Sequence, residues 1–494
     1  MKYLKSIYSL CIATAFILQS CYKDDSVAAT NVLPEIEVSG IQNNYTVITK
    51  VDSLNIKPVL ENITHEADYS FMWLLYDKTF TVNAGTVAKP DTLASTKDLS
   101  ILVNKKAADY ILVFNIIHKK TGVTQMNRYN LVVNTLNMNG WYILKDHNNQ
   151  TDYDFFHPDG KIENWMQYHG YTSLTGKAVK SIFIPDMRTS LNSVDRFGAL
   201  AVLSDQDIAM FRLENGQRLY TYDNLFFTKP SVKKPQNITT TPAGTVGLIN
   251  DSKFYVLNKG GLFANTPPND YVLSDKIGVT SYELVFDIKS KSLLYVSGGS
   301  LTRFIANGSA MMNTASDLMW IEGAPELRNT GAMIFKNPTT GTGRLIRIDA
   351  SVGNFFIPGS KLVTLEAEIP AENPVLQAEQ LGGNYDSDLL YYSKGNQVFI
   401  FDFASLSSSL QVSFPEGEKV TRIQHIKYPV PVRGVVNKLN YIAIATFKDG
   451  KYKVYLYSLN SIGGLIPKSA PDFEGTGRVS TINYIENGLG SRVF

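Results

Sequence analysis

Apolar and polar residues alternate in short runs along most of this 494-residue chain, and Gly, Asn, Asp and Lys turns separate the runs. A period of two marks strands with one buried face, and sustained helical spacing is almost missing from the sequence. Over residues 34–137 the pattern predicts strands at Glu35–Ser39, Tyr45–Lys50, Ser53–Leu60, Tyr69–Tyr76, Leu99–Val103, Tyr110–His118 and Val123–Val133. Short strands at this spacing predict a two-sheet β-sandwich. The hairpin from Tyr110 to Val133, turning at Lys120-Thr121-Gly122, is its clearest piece. Trp73 has Phe71 and Leu75 at spacing two, so its ring is expected in the sandwich core rather than at a ligand.

Residues 138–494 repeat a different unit, a strand, a polar turn and an alternating strand. Gly198–Leu203 and Ile208–Leu213 flank Ser204-Asp205-Gln206-Asp207. The unit recurs as Thr245–Ile249 with Phe254–Leu257, Tyr282–Ile288 with Leu293–Val296, and Ala332–Lys336 with Leu345–Ile348. Asp388–Tyr392 with Val398–Asp402, and Tyr441–Phe447 with Lys453–Leu459, continue it, and Trp141–Leu144 with Tyr153–Phe156 is a seventh. The turns lie roughly 40 to 57 residues apart, the spacing of four-stranded propeller blades. A lone four-stranded sheet leaves its edges and one face uncovered, whereas radial packing covers both faces. The expected fold class is therefore all-β, a sandwich followed by a β-propeller of seven blades. No WD or kelch signature recurs, and six or eight blades also fit so degenerate a repeat.

The N-terminus breaks the strand pattern. Lys2 and Lys5 precede an uncharged apolar run from Ile7 to Leu18, and Leu18-Gln19-Ser20-Cys21 follows. The run is shorter than the roughly 20 residues a bilayer requires, so it reads as a secretory signal. Leu18, Ser20 and Cys21 resemble the lipobox of bacterial lipoproteins, with Gln19 an unusual member. That resemblance implies cleavage before Cys21 and lipid on its thiol. Cys11 leaves with residues 1–20, so Cys21 would be the one thiol of the mature chain, and no internal disulfide could form. Residues 21–33 then form a tether, and its Tyr22-Lys23-Asp24-Asp25-Ser26 resembles the surface-export tag of Bacteroidetes lipoproteins.

Charge narrows the partners. The chain carries 47 basic and 45 acidic side chains, and without Lys2 and Lys5 the counts are 45 and 45. A balance of this kind argues against nucleic acid, whose recognition depends on clustered cations. Membrane attachment is expected through the lipid anchor alone.

Candidate chemistry is sparse. G-x-S-x-G, the P-loop, H-E-x-x-H and G-x-G-x-x-G do not occur, so no catalytic residue and no cofactor is assigned. Gly341-Thr-Gly343 and Gly475-Thr-Gly477 read as turns. His147, His157 and His169 match no zinc spacing, and Asp146 to Asp154 lacks the central Gly of a calcium loop, so no metal site is expected either. The aromatic stretch Trp165-Met-Gln-Tyr168-His-Gly-Tyr171 is the candidate ligand site, because flat aromatic faces beside hydrogen-bonding groups bind sugar rings and peptide side chains. The plainer reading is that Trp165 packs between blades. Trp320 is expected half-buried in a strand.

From Leu33-Pro34-Glu35-Ile36 through Trp73 to Gly140-Trp141-Tyr142-Ile143-Leu144, the chain is similar to PKD-like lipoproteins of Bacteroidetes, often encoded beside SusC/SusD-type outer-membrane nutrient importers. The resemblance implies an Ig/PKD-like sandwich at 34–137, ahead of the propeller that the repeat spacing predicts at 138–494, and a place on the outer membrane facing the exterior. It implies SusC/SusD-like partners and a glycan or peptide ligand, delivered without catalysis. The alternative is a propeller-fold polysaccharide hydrolase or lyase, for which Asp152, Asp154 and Asp205 are candidate acids.

Overall fold

The computed structural model describes residues 35–486 apart from 50–51, 64, 79–88, 106–107, 135–137, 159, 191, 195, 242–243, 259–260, 269, 325–328 and 429–437. The signal-like segment, Cys21 and the tether lie outside the described residues. The chain divides into two compact units, residues 1–136 and 137–494.

The first unit is a β-sandwich. Its main sheet orders five strands as Asn44–Ile48, Thr124–Asn134, Ala108–His118, Tyr69–Asp77 and Asp91–Ala94. Two short pairs, Glu37–Ser39 with Val59–Glu61 and Ser53–Ile56 with Leu99–Leu102, supply the remaining strands. One core takes side chains from both, including Leu54, Ile56, Leu99, Phe114 and Leu131. Trp73 is fully buried there, its ring 4.5 Å from that of Phe114 and its indole N–H donating to the Lys97 carbonyl. Two details depart from the alternation pattern. The run expected at Ser53–Leu60 is two strands, because Pro58 has no N–H to donate to a ladder. Asp91–Ala94 is a strand that the polar sequence did not announce.

The second unit is a seven-bladed β-propeller. Blades 2 to 7 each order four consecutive strands antiparallel, starting at Ala178, Pro235, Leu273, Asp317, Gln380 and Lys419. Blade 1 is composite. Gly140–His147, Gln150–His157 and Gly160–Ile162 are joined by the last strand, Arg478–Ile485, which pairs with Gly140–His147 and closes the ring. That strand is innermost, lying between Lys419–Tyr428 of blade 7 and Ala178–Met187 of blade 2.

The seven hairpins seen in the sequence are the second and third strands of each blade. Three of them turn through two residues of positive φ, Asn148-Asn149, Asp251-Ser252 and Asp449-Gly450. This twist matches the flanking strands, and Asn, Asp and Gly tolerate it best. Apolar side chains fill the gaps between blades. Leu248 and Met210 share one core cluster between blades 2 and 3, Phe286 and Met333 another between blades 4 and 5, and Ile143 and Val454 a third between blades 7 and 1. Each such burial contributes roughly 1.5–3 kcal/mol.

The joint between blades 7 and 1 also contains a polar lock. Lys145 Nζ lies 2.8 Å from Asp154 Oδ1, with both groups buried. The Tyr452 hydroxyl of blade 7 donates to Asp154 Oδ2 at 2.7 Å. Gly475 must be glycine here, since a Cβ would come within 2.6 Å of that same carboxylate oxygen.

Candidate functional site

The aromatic stretch lies at the joint between blades 1 and 2. Residues Trp165–Tyr168 form one helical turn, entered through Asn164 with φ of 51°. Asp152 anchors it, accepting from Met166 N, Tyr153 N and Ser173 Oγ at 2.8, 2.7 and 2.6 Å. Trp165 is fully buried. Its ring meets Tyr142, Tyr153 and His169 of the same blade and Phe211 of blade 2. The indole therefore fills the gap between two blades and offers no face to solvent, as the plainer reading expected. Tyr168 stays half-buried with its edge on His169. Tyr171 is also half-buried, its ring covered by the Arg218 guanidinium at 4.8 Å and its hydroxyl accepting from Arg218 N. Trp320, expected half-buried, is 7% exposed and packs with Phe403.

The candidate acids are occupied in the same way. Asp154 belongs to the lock described above. Asp205 accepts from Lys177 N at 2.8 Å. Among the described residues no group of three or more His, Asp or Glu side chains is placed to hold a metal ion.

A different set of polar residues converges on the propeller axis. The channel there is lined by the innermost strands of blades 1 to 5 and 7, and by Tyr385, just beyond the innermost strand of blade 6. Water-sized molecules have about 100 Å³ of free space in it. Lys180 enters from blade 2, Arg422 and Gln424 from blade 7, Glu322 from blade 5, and Thr481 and Asn483 from blade 1. Apolar wall comes from Ile182, Ile277, Val279 and Ile321.

The charges in this channel are not paired with one another. Glu322 Oε2 accepts from Gly383 N at 2.6 Å, and the Tyr385 phenol bonds the same carboxyl group. A Cβ on Gly383 would lie 2.7 Å from Glu322 Oε2, so glycine is what admits the carboxylate. Lys180 Nζ donates to a neutral acceptor, Asn237 Oδ1, at 3.1 Å. Arg422 donates from Nε to Gln424 Oε1 at 3.4 Å. Both cations keep some surface open, but that surface faces the channel, and protein encloses them elsewhere.

Their acid–base behaviour follows. Burial, followed by repulsion from Arg422, pushes the Lys180 ammonium down to about 8. Burial likewise lowers the Arg422 guanidinium, with Glu322 opposing. Burial raises the Glu322 carboxyl, and the Gly383 N–H and Tyr385 pull it back in part. The arrangement can hold a small polar or acidic group by hydrogen bonds and charge.

None of these residues lies in a contiguous motif. Lys180, Glu322 and Arg422 each sit on the first strand of a blade, but those strands carry other polar residues as well, such as Asp186, Asp317, Gln424 and Lys427, so charge alone did not mark them.

Residues 21–182 match the PKD-like family, a stretch that runs from Cys21 through the sandwich and the three outer strands of blade 1 into the first strand of blade 2. No curated protein matches the chain. Among solved structures, a quinonprotein alcohol dehydrogenase-like protein from Bacteroides thetaiotaomicron VPI-5482 is 11% identical, with 90% of this chain and 97% of that one covered and a TM-score of 0.44. The extracellular domain of a one-component system from B. thetaiotaomicron is 11% identical over 80% of this chain and 54% of that one, with a TM-score of 0.36. A β-propeller domain, Swd1 of Myceliophteria thermophila, is 9% identical over 56% and 97%, with a TM-score of 0.29. The chain is thus an all-β protein with a PKD-like N-terminal region and a seven-bladed propeller.

Proposed function

We propose that this chain is a lipid-anchored protein of the outer surface that works beside a SusC/SusD-type outer-membrane importer. Its propeller holds an oligosaccharide or peptide nutrient and helps to deliver it, and the role is binding rather than turnover. The observation that carries the binding reading is the axial channel, where charged and amide side chains from separate blades converge on a space of small-molecule size. Rings of this kind present concave polar sites built from many strands, and ligand sites favour such places. The anchor rests on Leu18-Gln19-Ser20-Cys21, and the importer rests on the likeness to PKD-like lipoproteins.

The test is a pull-down of the native full-length protein from detergent-solubilised membranes of its own cells. SusC-type and SusD-type proteins are expected to co-purify with it. Recovery of the protein without either, under conditions that keep a known SusC/SusD pair together, would overturn the importer role.

A further inference from the structure

We propose that the axial channel is a carboxylate-binding site, in which Arg422 and Lys180 grip the acidic group of a small ligand. This rests on the binding reading above and names the ligand's chemistry. Two cations and one carboxylate face the channel, and the carboxylate is turned away to Gly383 and Tyr385. Lys180 and Arg422 form no ion pair among the described residues, and each donates to one neutral amide oxygen. They act on each other instead as like charges. One positive charge is therefore left over in a narrow, largely enclosed space.

An unbalanced charge in such surroundings strongly favours a counter-ion, because the low local dielectric strengthens attraction that water would screen. The excess is a single charge, which a monoanion cancels. A dianion would reverse it. The guanidinium is a planar fork whose geometry suits the two oxygens of a carboxylate, and its Nη groups are not used by the protein among the described residues. Lys180 adds a point charge from a blade two places round the ring. Space of about 100 Å³ admits the acidic group and a few further atoms. The rest of a larger ligand would extend outward along the axis. An acidic sugar and a peptide terminus both carry this group.

Titration calorimetry of the full-length protein with acetate, D-glucuronate, glycylglycine and inorganic phosphate tests the assignment. At least one carboxylate should bind more tightly than phosphate. Arg422→Gln and Lys180→Met should each weaken it at least about tenfold. Binding at pH 8 should draw a proton onto Lys180, so the heat should depend on the buffer's ionisation enthalpy, and Lys180→Met should abolish that dependence. The carboxylate should raise the melting temperature of the wild type and leave that of Arg422→Gln unchanged. Preference for glucuronate would identify acidic sugar, and preference for glycylglycine a peptide terminus; both support the site. Should Arg422→Gln fail to fold, Arg422→Lys keeps the charge and removes the fork, and it should still weaken binding. No heat from any carboxylate, equal affinity in the folded variants, or phosphate binding tightest would each overturn the proposal. Neither result depends on the importer, so pull-down and calorimetry can fail separately.

Discussion

Glu283 is a buried acid with no counter-charge. It is 3% exposed, and its Oε1 has no hydrogen-bond partner. Burial pushes its carboxyl up to about 7. The sign of the consequence is fixed by which state ionises first. An unfolded Glu ionises near its ordinary value of 4.5, while the folded one stays protonated until about 7. Stability is therefore full below the unfolded value and falls as pH rises through this window. The loss should be on the order of 3 kcal/mol once pH exceeds the folded value. Glu283→Gln removes the ionisation and keeps the shape. Melting curves between pH 5 and 8.5 should show the variant gaining on the wild type as pH rises, and a constant gap would refute this account. The same accounting separates Asp152 and Asp154 from the channel residues. Their alternation in the sequence looks like a ligand set, yet backbone N–H groups, Ser173, Lys145 and Tyr452 take up their oxygens. Removing one partner from a buried pair such as Lys145–Asp154 typically costs about 3–5 kcal/mol.

The strands divide into those the alternation announces and those it does not. Second and third strands of each blade are joined by tight turns and keep a clean register, so a period of two survives in the sequence. Innermost strands are different. In six of the seven blades the register between the first and second strand shifts, as at Ala178/Lys180, Leu318/Trp320 and Val420/Arg422. A bulge adds a residue and re-aims the side chains after it. That is why Lys180 and Arg422 could not be assigned to the axis by counting alternate residues. The closing strand carries the largest consequence of any single element. Val479, Ile482 and Ile485 are fully buried on it, each contributing roughly 1.5–3 kcal/mol. Without it, Gly140–His147 would present a bare edge to other chains. Deleting residues 478–494 should give a protein that melts earlier and elutes as oligomers in size-exclusion chromatography. A monomer with the wild-type melting temperature would show that the ring does not need its closure.

At the scale of the whole molecule, the proposed role puts attachment to the bilayer on lipid at Cys21. The chain's charges nearly cancel, and among the described residues no helix is long and apolar enough to cross a membrane. Since one acyl chain gives only about 10⁴ M⁻¹, several chains on that cysteine would be needed for stable anchoring. Cys21→Ser should move the protein from the membrane pellet to the soluble fraction on cell fractionation, and an unchanged pellet would refute lipid anchoring.

The sequence by itself determined the class of the fold and displayed seven hairpins, because tight turns are local; the count of seven blades was decided by the tertiary structure, where the last strand completes blade 1. It also displayed the signal-like segment and Cys21, whose pattern is contiguous. Only the tertiary structure decided what Trp165 and the axial residues do. Trp165 faces a partner from another blade, and Lys180, Glu322 and Arg422 lie a hundred or more residues apart in the chain. Their shared charge balance exists only once the last strand has closed the ring and brought all seven innermost strands around one axis.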